Sequence, residues 1–216
     1  MTLAEIKAAV RDELGVPSTD TRRLPPTKIT SAANEVCESL ATRRNWPFLL
    51  AVAPTTTLTG GQWNPALPAD FCRPFQVFVQ ATDGTDPYEP DAAVYEELLQ
   101  RYPVPTDAAT WGAPRYAALA GSTLALGPPP LAGTKLTVHY YKFPAALVGD
   151  SDTNEMATTL GRAVKWLTVA ECADYDRQAD VAAAARDKGE RAFREVLYNL
   201  NDAARLNQQP EISEPE

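Results

Sequence analysis

The distribution of proline constrains the fold of this chain more than any other feature. Nineteen of the 216 residues are proline, and most of them lie between residues 17 and 144, whereas none occurs from 145 to 209. Proline removes a backbone donor and clashes with the preceding helical turn, so a long stretch without it is free to form helix. The sequence therefore predicts a region of strands and turns followed by a long helical region.

Two short segments between residues 121 and 144 carry the clearest strand pattern. Leu124 and Leu126 recur at every second position in the first segment, and Val138 and Tyr140 do so in the second. A period of two bounded by glycine and proline is typical of a half-buried strand. Three consecutive prolines separate the segments, and we expect them to stiffen a turn. The pattern predicts one β-hairpin over this range.

Amphipathic helices are predicted at both ends of the chain. Thr2 and Glu5 have the spacing of a capping box at a helix start. The acidic run from Asp150 to Thr153 predicts the start of a later helix. Apolar residues at helical spacing place the helices over residues 2–14, 28–45, 154–175 and 177–206. The last of these would be about 45 Å long, more than a compact domain of this size requires.

These patterns predict an α+β fold in which a β-rich domain interrupts a helical one. We expect residues 1–49 and 149–206 to form a helical bundle with two long C-terminal helices. Residues 50–148 are predicted to form an inserted antiparallel β-rich domain with one short helix at 91–102, for which Asp91 is the expected cap. A small barrel and a sandwich both fit its short strands. An extended C-terminal tail is predicted for residues 207–216.

The charge of the chain argues against binding of nucleic acid through its phosphates. The formal net charge is −8, and the densest basic runs are the pairs Arg22-Arg23 and Arg43-Arg44. A phosphate-binding surface needs a larger basic patch. We interpret the pairs as solvated ends of helices or loops, with contact to DNA left as an alternative. An acidic wall also suits a channel through which DNA slides without sticking.

The three cysteines, Cys37, Cys72 and Cys172, are widely spaced and form no CxxC pair. They are predicted to be small buried hydrophobic residues in a reducing compartment. The N-terminus lacks the apolar run of a signal peptide, and no window approaches the ~18 apolar residues of a membrane span. We expect no membrane partner, and a protein kept in the cytosol or in something assembled there.

A search for chemistry finds no catalytic, cofactor-binding or metal site. His139 is the one histidine, and no motif supplies it with a nucleophile or a carboxylate. Asp150 and Asp152 could pair as acid and base, but their setting favours helix capping. Trp63 and Trp111 stand in loops beside glycine. They could stack on a sugar or a base, although core anchoring or a protein interface is more common for tryptophan.

Several segments together resemble one family, the head-to-tail adaptor proteins of tailed bacteriophages, also called connector or head-completion proteins and, in short-tailed phages, tail tubular protein A. These segments are NWPFL, which closes a helix, LPADFCRP, which leads into a strand, and YAALAGSTLALGPPPLAGTKLTVHYYKFPAAL, which precedes an acidic helix start. The resemblance covers roughly residues 2–206.

The resemblance implies a structural protein without enzymatic activity or cofactor, placed in the virion at the head-tail interface and assembled in the host bacterial cytoplasm. It implies a ring, commonly of twelve copies, that binds the portal protein above and a tail or stopper protein below. DNA would pass through the ring without sequence-specific binding. The implied contact residues are Gln208, Pro210, Ile212 and Pro215 for the portal, Ala184, Ala185, Phe193 and Leu197 for the ring, and Trp63 and Trp111 for the tail side.

Two other functions stay open at the level of sequence. The β-rich domain could act as a monomeric binding module that recognises a carbohydrate or a peptide through Trp63 and Trp111. A hydrolase would need an acid-base pair, for which Asp150 and Asp152 are the candidates. Loss of turnover on changing either aspartate would favour the hydrolase.

Overall fold

A computed structural model describes residues 1–82 and 85–206, with the backbone alone for 201–206. The chain divides into two compact units, a helical unit formed by Met1–Arg44 with the chain from Pro144 onward, and a β unit formed by Asn45–Phe143. Over the described residues the fold is mixed α+β. Its helices are α1 (Leu3–Leu14), α2 (Pro26–Arg43), α3 (Tyr95–Arg101), α4 (Glu155–Thr159), α5 (Gly161–Tyr175) and α6 (Ala179–Leu206), and its strands are β1 (Leu50–Val52), β2 (Thr56–Thr57), β3 (Phe71–Gln80), β4 (Asp91–Ala92), β5 (Tyr116–Ala120), β6 (Thr123–Gly127) and β7 (Lys135–Lys142).

The first helix forms as its sequence predicts. The Thr2 hydroxyl accepts the Glu5 backbone N–H at 3.3 Å, and the Glu5 carboxylate accepts the Thr2 N–H at 2.8 Å, which confirms the capping box. Gly15 ends the helix with φ at +61°, a left-handed conformation that glycine adopts without strain. Helix α2 begins at Pro26, earlier than predicted, because proline is well tolerated in the first turn of a helix.

The predicted helix over residues 154–175 is two helices. The backbone leaves regular helical geometry at Leu160, with φ −108° and ψ 24°, so α4 ends and α5 begins there. The residue that caps α4 is Asn154, whose side chain accepts the N–H of Ala157 at 2.8 Å. The prediction that the acidic run from Asp150 to Thr153 starts this helix was therefore wrong, because that run forms a loop one residue earlier.

Helices α1, α2 and α6 all pack against α5, which is the centre of the helical unit. Leu3, Ile6, Ile29, Leu40 and Val164 are fully buried there. Helix α6 approaches α5 closely at Gly189, where a Cβ atom would lie 2.8 Å from the side chain of Leu167 and 3.2 Å from its backbone nitrogen. Glycine at this position lets the two helices meet at backbone distance.

The β unit is organised around β7. It pairs antiparallel with β1 and β2 along one edge and with β3 along the other. Leu136, Val138 and Tyr140 point from β7 into a buried apolar cluster. The alternation predicted for this strand is thus present, with Thr137 and His139 on the opposite, half-buried face.

The predicted hairpin over residues 121–144 was wrong. Strand β6 pairs antiparallel with β5, through a two-residue turn whose Gly121 has φ at +61°, and β7 belongs to the other sheet. The proline-rich connection between β6 and β7 carries the chain from one sheet to the other. It is fixed by hydrogen bonds to the loop after β2, including Gly61 N–H to Pro130 O at 2.9 Å and Gly133 N–H to Leu58 O at 2.9 Å.

The second sheet has the order β4-β5-β6, and its β4-β5 pair is parallel. The β unit is therefore not purely antiparallel, as the sequence had predicted. Asp91 lies in β4, and α3 begins after Val94, so Asp91 does not cap that helix. Leu124 and Leu126 of β6 join the cluster formed by β3 and β7, so the two sheets share one apolar core. Helix α3 covers the other side of β5 and β6 through Leu98.

Candidate functional site

The acidic group before α4 anchors the start of the chain. The Asp152 carboxylate accepts the N–H groups of Val148 and Gly149 at 3.0 and 2.8 Å, which lowers the pKa of Asp152. Asp150 pairs with Lys7 at 2.7 Å. The backbone carbonyls of Asp150 and Asp152 also accept the N–H groups of the first turn of α1. Both carboxylates thus have structural partners, an arrangement that does not favour an acid-base pair.

Asn154 is a polar residue whose role was not predicted from the sequence. It is 6% exposed, and besides capping α4 it donates its amide to the carbonyl of Ala145 at 2.8 Å. Its side-chain oxygen also lies 3.9 Å from the sulfur of Cys37. Burial raises the pKa of the Cys37 thiol to about 11, with this contact acting in the opposite direction. An asparagine followed by an acidic residue at a helix start was the available signal.

The other cysteines differ in their exposure. Cys172 is buried in α5, and burial raises the pKa of its thiol to about 12. Cys72, in β3, is half-buried. The prediction of buried, unpaired thiols is therefore confirmed for Cys37 and Cys172. Within residues 1–82 and 85–206, no three side chains of the His, Cys, Asp and Glu types are arranged to hold a metal ion.

His139 lies on the outer face of β7. Its ring meets the ring of Phe78 edge-on, with centroids 5.2 Å apart. On the opposite face of the same strand, the Tyr140 hydroxyl donates to the Asp70 carboxylate at 2.8 Å. Burial, and then this carboxylate, raise the pKa of Tyr140 to about 12. These groups tie β7 to its neighbours and bring no nucleophile to the histidine.

One member of each arginine pair is held within the helical unit. The guanidinium of Arg23 contacts both carboxylate oxygens of Asp176 at 2.6 to 3.0 Å, which lowers the pKa of Asp176. Arg43 pairs with Glu190 at 2.6 Å and lies 5.3 Å from the centroid of the Phe193 ring. These contacts agree with the interpretation of the pairs as ordinary helix and loop ends.

Helix α6 is the longest of the described helices and strands. Its 28 residues span about 42 Å, against about 22 Å for the 15 residues of α5. Ala185 and Phe193 are buried inside the helical unit, whereas Ala184 is exposed and Leu197 is half-buried. Tyr198 is 68% exposed. Two of the four predicted ring residues thus hold α6 against its own unit, and the other two lie where another molecule can reach them.

Both candidate tryptophans contact the β unit itself. The ring of Trp63 stacks on Tyr95 with centroids 5.9 Å apart. The Trp111 indole donates to the carbonyl of Pro105 at 3.0 Å, and its ring covers Gly60 and Gly61 so closely that neither could carry a Cβ. These contacts are those of anchors, and they give no support to a stacking site for a sugar. The portal candidates Gln208, Pro210, Ile212 and Pro215 lie outside the described residues.

A groove opens on the β unit beside the shared core. Its volume is about 880 Å³, and its walls come from β3, from β5 and from the start of α3. Phe75, Val94 and Leu119 line it, and each is exposed over about half its surface.

None of the described helices has the length and apolar character needed to cross a membrane.

Comparison with known proteins assigns the chain to a family. The family model described as SU10 adaptor protein matches residues 1–212, which includes both units. No curated protein matches the chain. The family consists of structural phage adaptors, not a class of enzymes, and it implies a virion component that interacts with portal and tail proteins. The resemblance seen in the sequence is thereby confirmed. A match of this extent shows that the chain belongs to the SU10 adaptor protein family.

Proposed function

We propose that the chain forms a ring beneath the portal of a tailed phage, joins the portal to the tail, and continues the DNA channel. The observation that carries the proposal is the family match, which extends over the helical unit, the β unit and the start of the tail. The resemblance in sequence points to twelve copies. Assembly in the host bacterial cytoplasm is part of the same proposal.

Ring contacts are best placed on α6. A ring needs a heterologous interface, in which one surface of a subunit meets a different surface of the next. Ala184 and Tyr198 are exposed and Leu197 is half-buried, at separate points along a helix longer than its partner, so another subunit can reach all three. Ala185 and Phe193 would act indirectly in this arrangement, because they hold α6 in place from the inside.

The portal contact is assigned to residues 207–216, which follow α6 directly. Ten residues can span at most ~36 Å when fully extended, far enough to reach a neighbouring protein. Gln208, Pro210, Ile212 and Pro215 are the proposed contacts. The tail-side contact is assigned to the β unit, where Trp63 and Trp111 support the surface from within.

The proposed channel is consistent with the charge of the chain. A net charge of −8 gives no general attraction for the phosphates of DNA. Arg23 and Arg43 are engaged in ion pairs with Asp176 and Glu190. An acidic lumen would allow DNA to slide past without being held.

Electron microscopy of the full chain with and without portal tests the ring directly. We expect rings in the presence of portal, and loss of these rings for Tyr198→Glu and Leu197→Glu, because a charge would be buried at the subunit contact. The matched control is Val104→Glu, which places the same charge on an exposed apolar residue of the β unit. Normal rings with both α6 variants would contradict the proposed interface.

Deletion of residues 207–216 tests the portal contact. We expect the shortened chain to fold, with the helical content of the full chain, and to fail to join portal-bearing heads. Substitution of Ile212 by Asp in the full chain is the milder version of the same test. Infectious particles at normal yield with the deletion would contradict the assignment of these residues to the portal.

A further inference from the structure

The groove on the β unit exposes strand edges as well as apolar side chains. Strand β4 has two residues and pairs with Tyr116 and Ala117, the first part of β5, before the chain turns into α3. The second part of β5 lines the groove, and among the described residues no strand lies beside it on that edge. A row of backbone groups at a strand edge is a template for pairing with another chain.

The direction of the backbone groups of β5 follows from its neighbours. The N–H groups of Leu124 and Leu126 bond to Pro65 and Trp63, away from β5. Thr123 and Ala125 of β6 therefore direct their backbone groups to Ala120 and Ala118 of β5. The backbone groups of Leu119, between those two residues of β5, point to the opposite edge. On that edge Ala93 bonds to Ala117, and within the described residues no hydrogen bond reaches the backbone of Leu119.

The opposite wall of the groove has a similar edge. Val79 of β3 exchanges both backbone hydrogen bonds with Tyr88, at 2.8 and 2.9 Å, on the side away from β7. Val77 lies two residues earlier, so its backbone groups point to the same side, where it lines the groove. Pro74 and the bulge at Phe75 interrupt this edge. The edge at Leu119 is thus the better template of the two.

The charge at the groove is negative. Glu89 and Glu96 line it and are exposed, and no ion pair to either is present among the described residues. The exposed apolar side chains at the groove are Phe75, Val94 and Leu119. An occupant that complements this surface carries apolar side chains with lysine or arginine nearby.

We propose that this groove binds an extended segment of a partner protein, which adds as a strand to β5 at Leu119. Alternate apolar side chains of the segment pack against Phe75, Val94 and Leu119, and a lysine or arginine of the segment pairs with Glu89 or Glu96. In such strand addition, the main chain supplies affinity and pockets for alternate side chains supply specificity. The site does not depend on which protein supplies the segment, nor on the ring.

A displayed library of random twelve-residue peptides, selected on the full chain, tests the site. We expect the enriched peptides to alternate apolar and polar residues and to contain lysine or arginine. Leu119→Pro should weaken their binding about tenfold or more, because it removes the N–H that faces the groove and leaves the bonds to β6 in place. Leu119→Ala keeps that N–H and should weaken binding about threefold at most.

Charge reversal gives the second arm of the test. Glu96→Lys should weaken binding about tenfold, whereas Glu97→Lys should leave binding nearly unchanged, because Glu97 is the adjacent exposed residue and does not line the groove. Peptides N-methylated at alternate residues replace Leu119→Pro if that variant does not fold. The proposal is overturned if no peptide is enriched or if enriched peptides lack alternation. It is also overturned if Glu96→Lys binds as well as the unmodified chain and binding survives the loss of the main-chain bonds, whether through Leu119→Pro or through N-methylated peptides.

Discussion

The helical unit and the β unit differ in how far apart their decisive contacts lie along the chain. Helix α1 begins and ends through residues at its own ends, Thr2 and Glu5 at the first turn and Gly15 after the last. Strand β7 is held by β1, β2 and β3, whose residues lie more than fifty positions away. Short-range signals are enough to place a helix, whereas a strand needs its partner to be identified as well.

The same difference extends to the surfaces of the two units. In the helical unit, the turns before α4 and after α5 are closed by side chains, with Asp152 and Asn154 at one and Asp176 at the other. In the β unit, β6 pairs with the whole of β5 on one edge, whereas β4 pairs with only its first two residues on the other, and the rest of that edge lies beside an apolar groove. The helical unit is therefore suited to a fixed framework, and the β unit to the capture of an added segment.

The largest predicted loss of stability comes from truncating a buried leucine in the core of either unit. Leu40 in α2 and Leu126 in β6 are both fully buried, and replacement of either by alanine should lower the free energy of unfolding by about 2–5 kcal/mol. Urea unfolding measures the loss, and hydrogen exchange locates it. The control is Leu131→Ala, at a residue 44% exposed, which should change stability by no more than about 0.5 kcal/mol. A cost below about 1 kcal/mol at Leu126 would contradict the shared core.

The contact between α5 and α6 gives the next largest effect. Gly189→Ala places a methyl group 2.8 Å from Leu167 and should cost about 1–3 kcal/mol by forcing the helices apart. Helix propensity alone predicts a gain of about 1 kcal/mol for this change. Ala183→Gly, at an exposed position of α6, measures the propensity effect by itself. A more stable Gly189→Ala protein would show that the helices do not meet as closely as described.

The same difference in contact range explains which elements could be predicted from the sequence. The helices, apart from the break at Leu160, and the strand segments of β6 and β7 were predicted because apolar period, capping residues and proline are visible in a short window. The partner of β6 was not predicted, because alternation indicates a strand but not which strand it pairs with. The prolines before β7 suggested a hairpin turn, whereas the chain crosses there from one sheet to the other. The groove could not be predicted either, because it results from β4 ending after two residues beside a longer β5.

A third prediction concerns the two hydrogen bonds of Asn154, the cap of α4 and the bond to Ala145. Asn154→Ala should lower the free energy of unfolding by about 1–2 kcal/mol, because it removes the cap of α4 and leaves the carbonyl of Ala145 without its donor. Asn154→Ser keeps a capping oxygen and should recover part of the loss. Thermal unfolding followed by circular dichroism measures both. Equal losses for the two variants would assign the effect to the bond with Ala145 and not to the cap.

The smallest predicted effect has opposite signs of pH dependence in the two units. Arg23 lowers the pKa of Asp176 in the helical unit, so this pair stabilises the fold above the ordinary carboxylate pKa of about 4, and the benefit disappears as pH falls through the lowered value. Burial and Asp70 raise the pKa of Tyr140 to about 12 in the β unit. That contribution is complete below the ordinary tyrosine pKa of about 10 and is lost as pH rises towards 12.

Urea unfolding of Arg23→Gln and Tyr140→Phe across pH tests this contrast. Each variant should be slightly less stable than the unmodified chain at pH 7, because each loses a hydrogen bond to a carboxylate. The deficit of Arg23→Gln should shrink in acid, and that of Tyr140→Phe should shrink in alkali. Arg22→Gln, at the adjacent exposed residue, should show neither trend. If both deficits shrank at the same end of the pH scale, titration of Asp176 and Tyr140 would not control the two contacts, and the electrostatic contrast between the units would be contradicted.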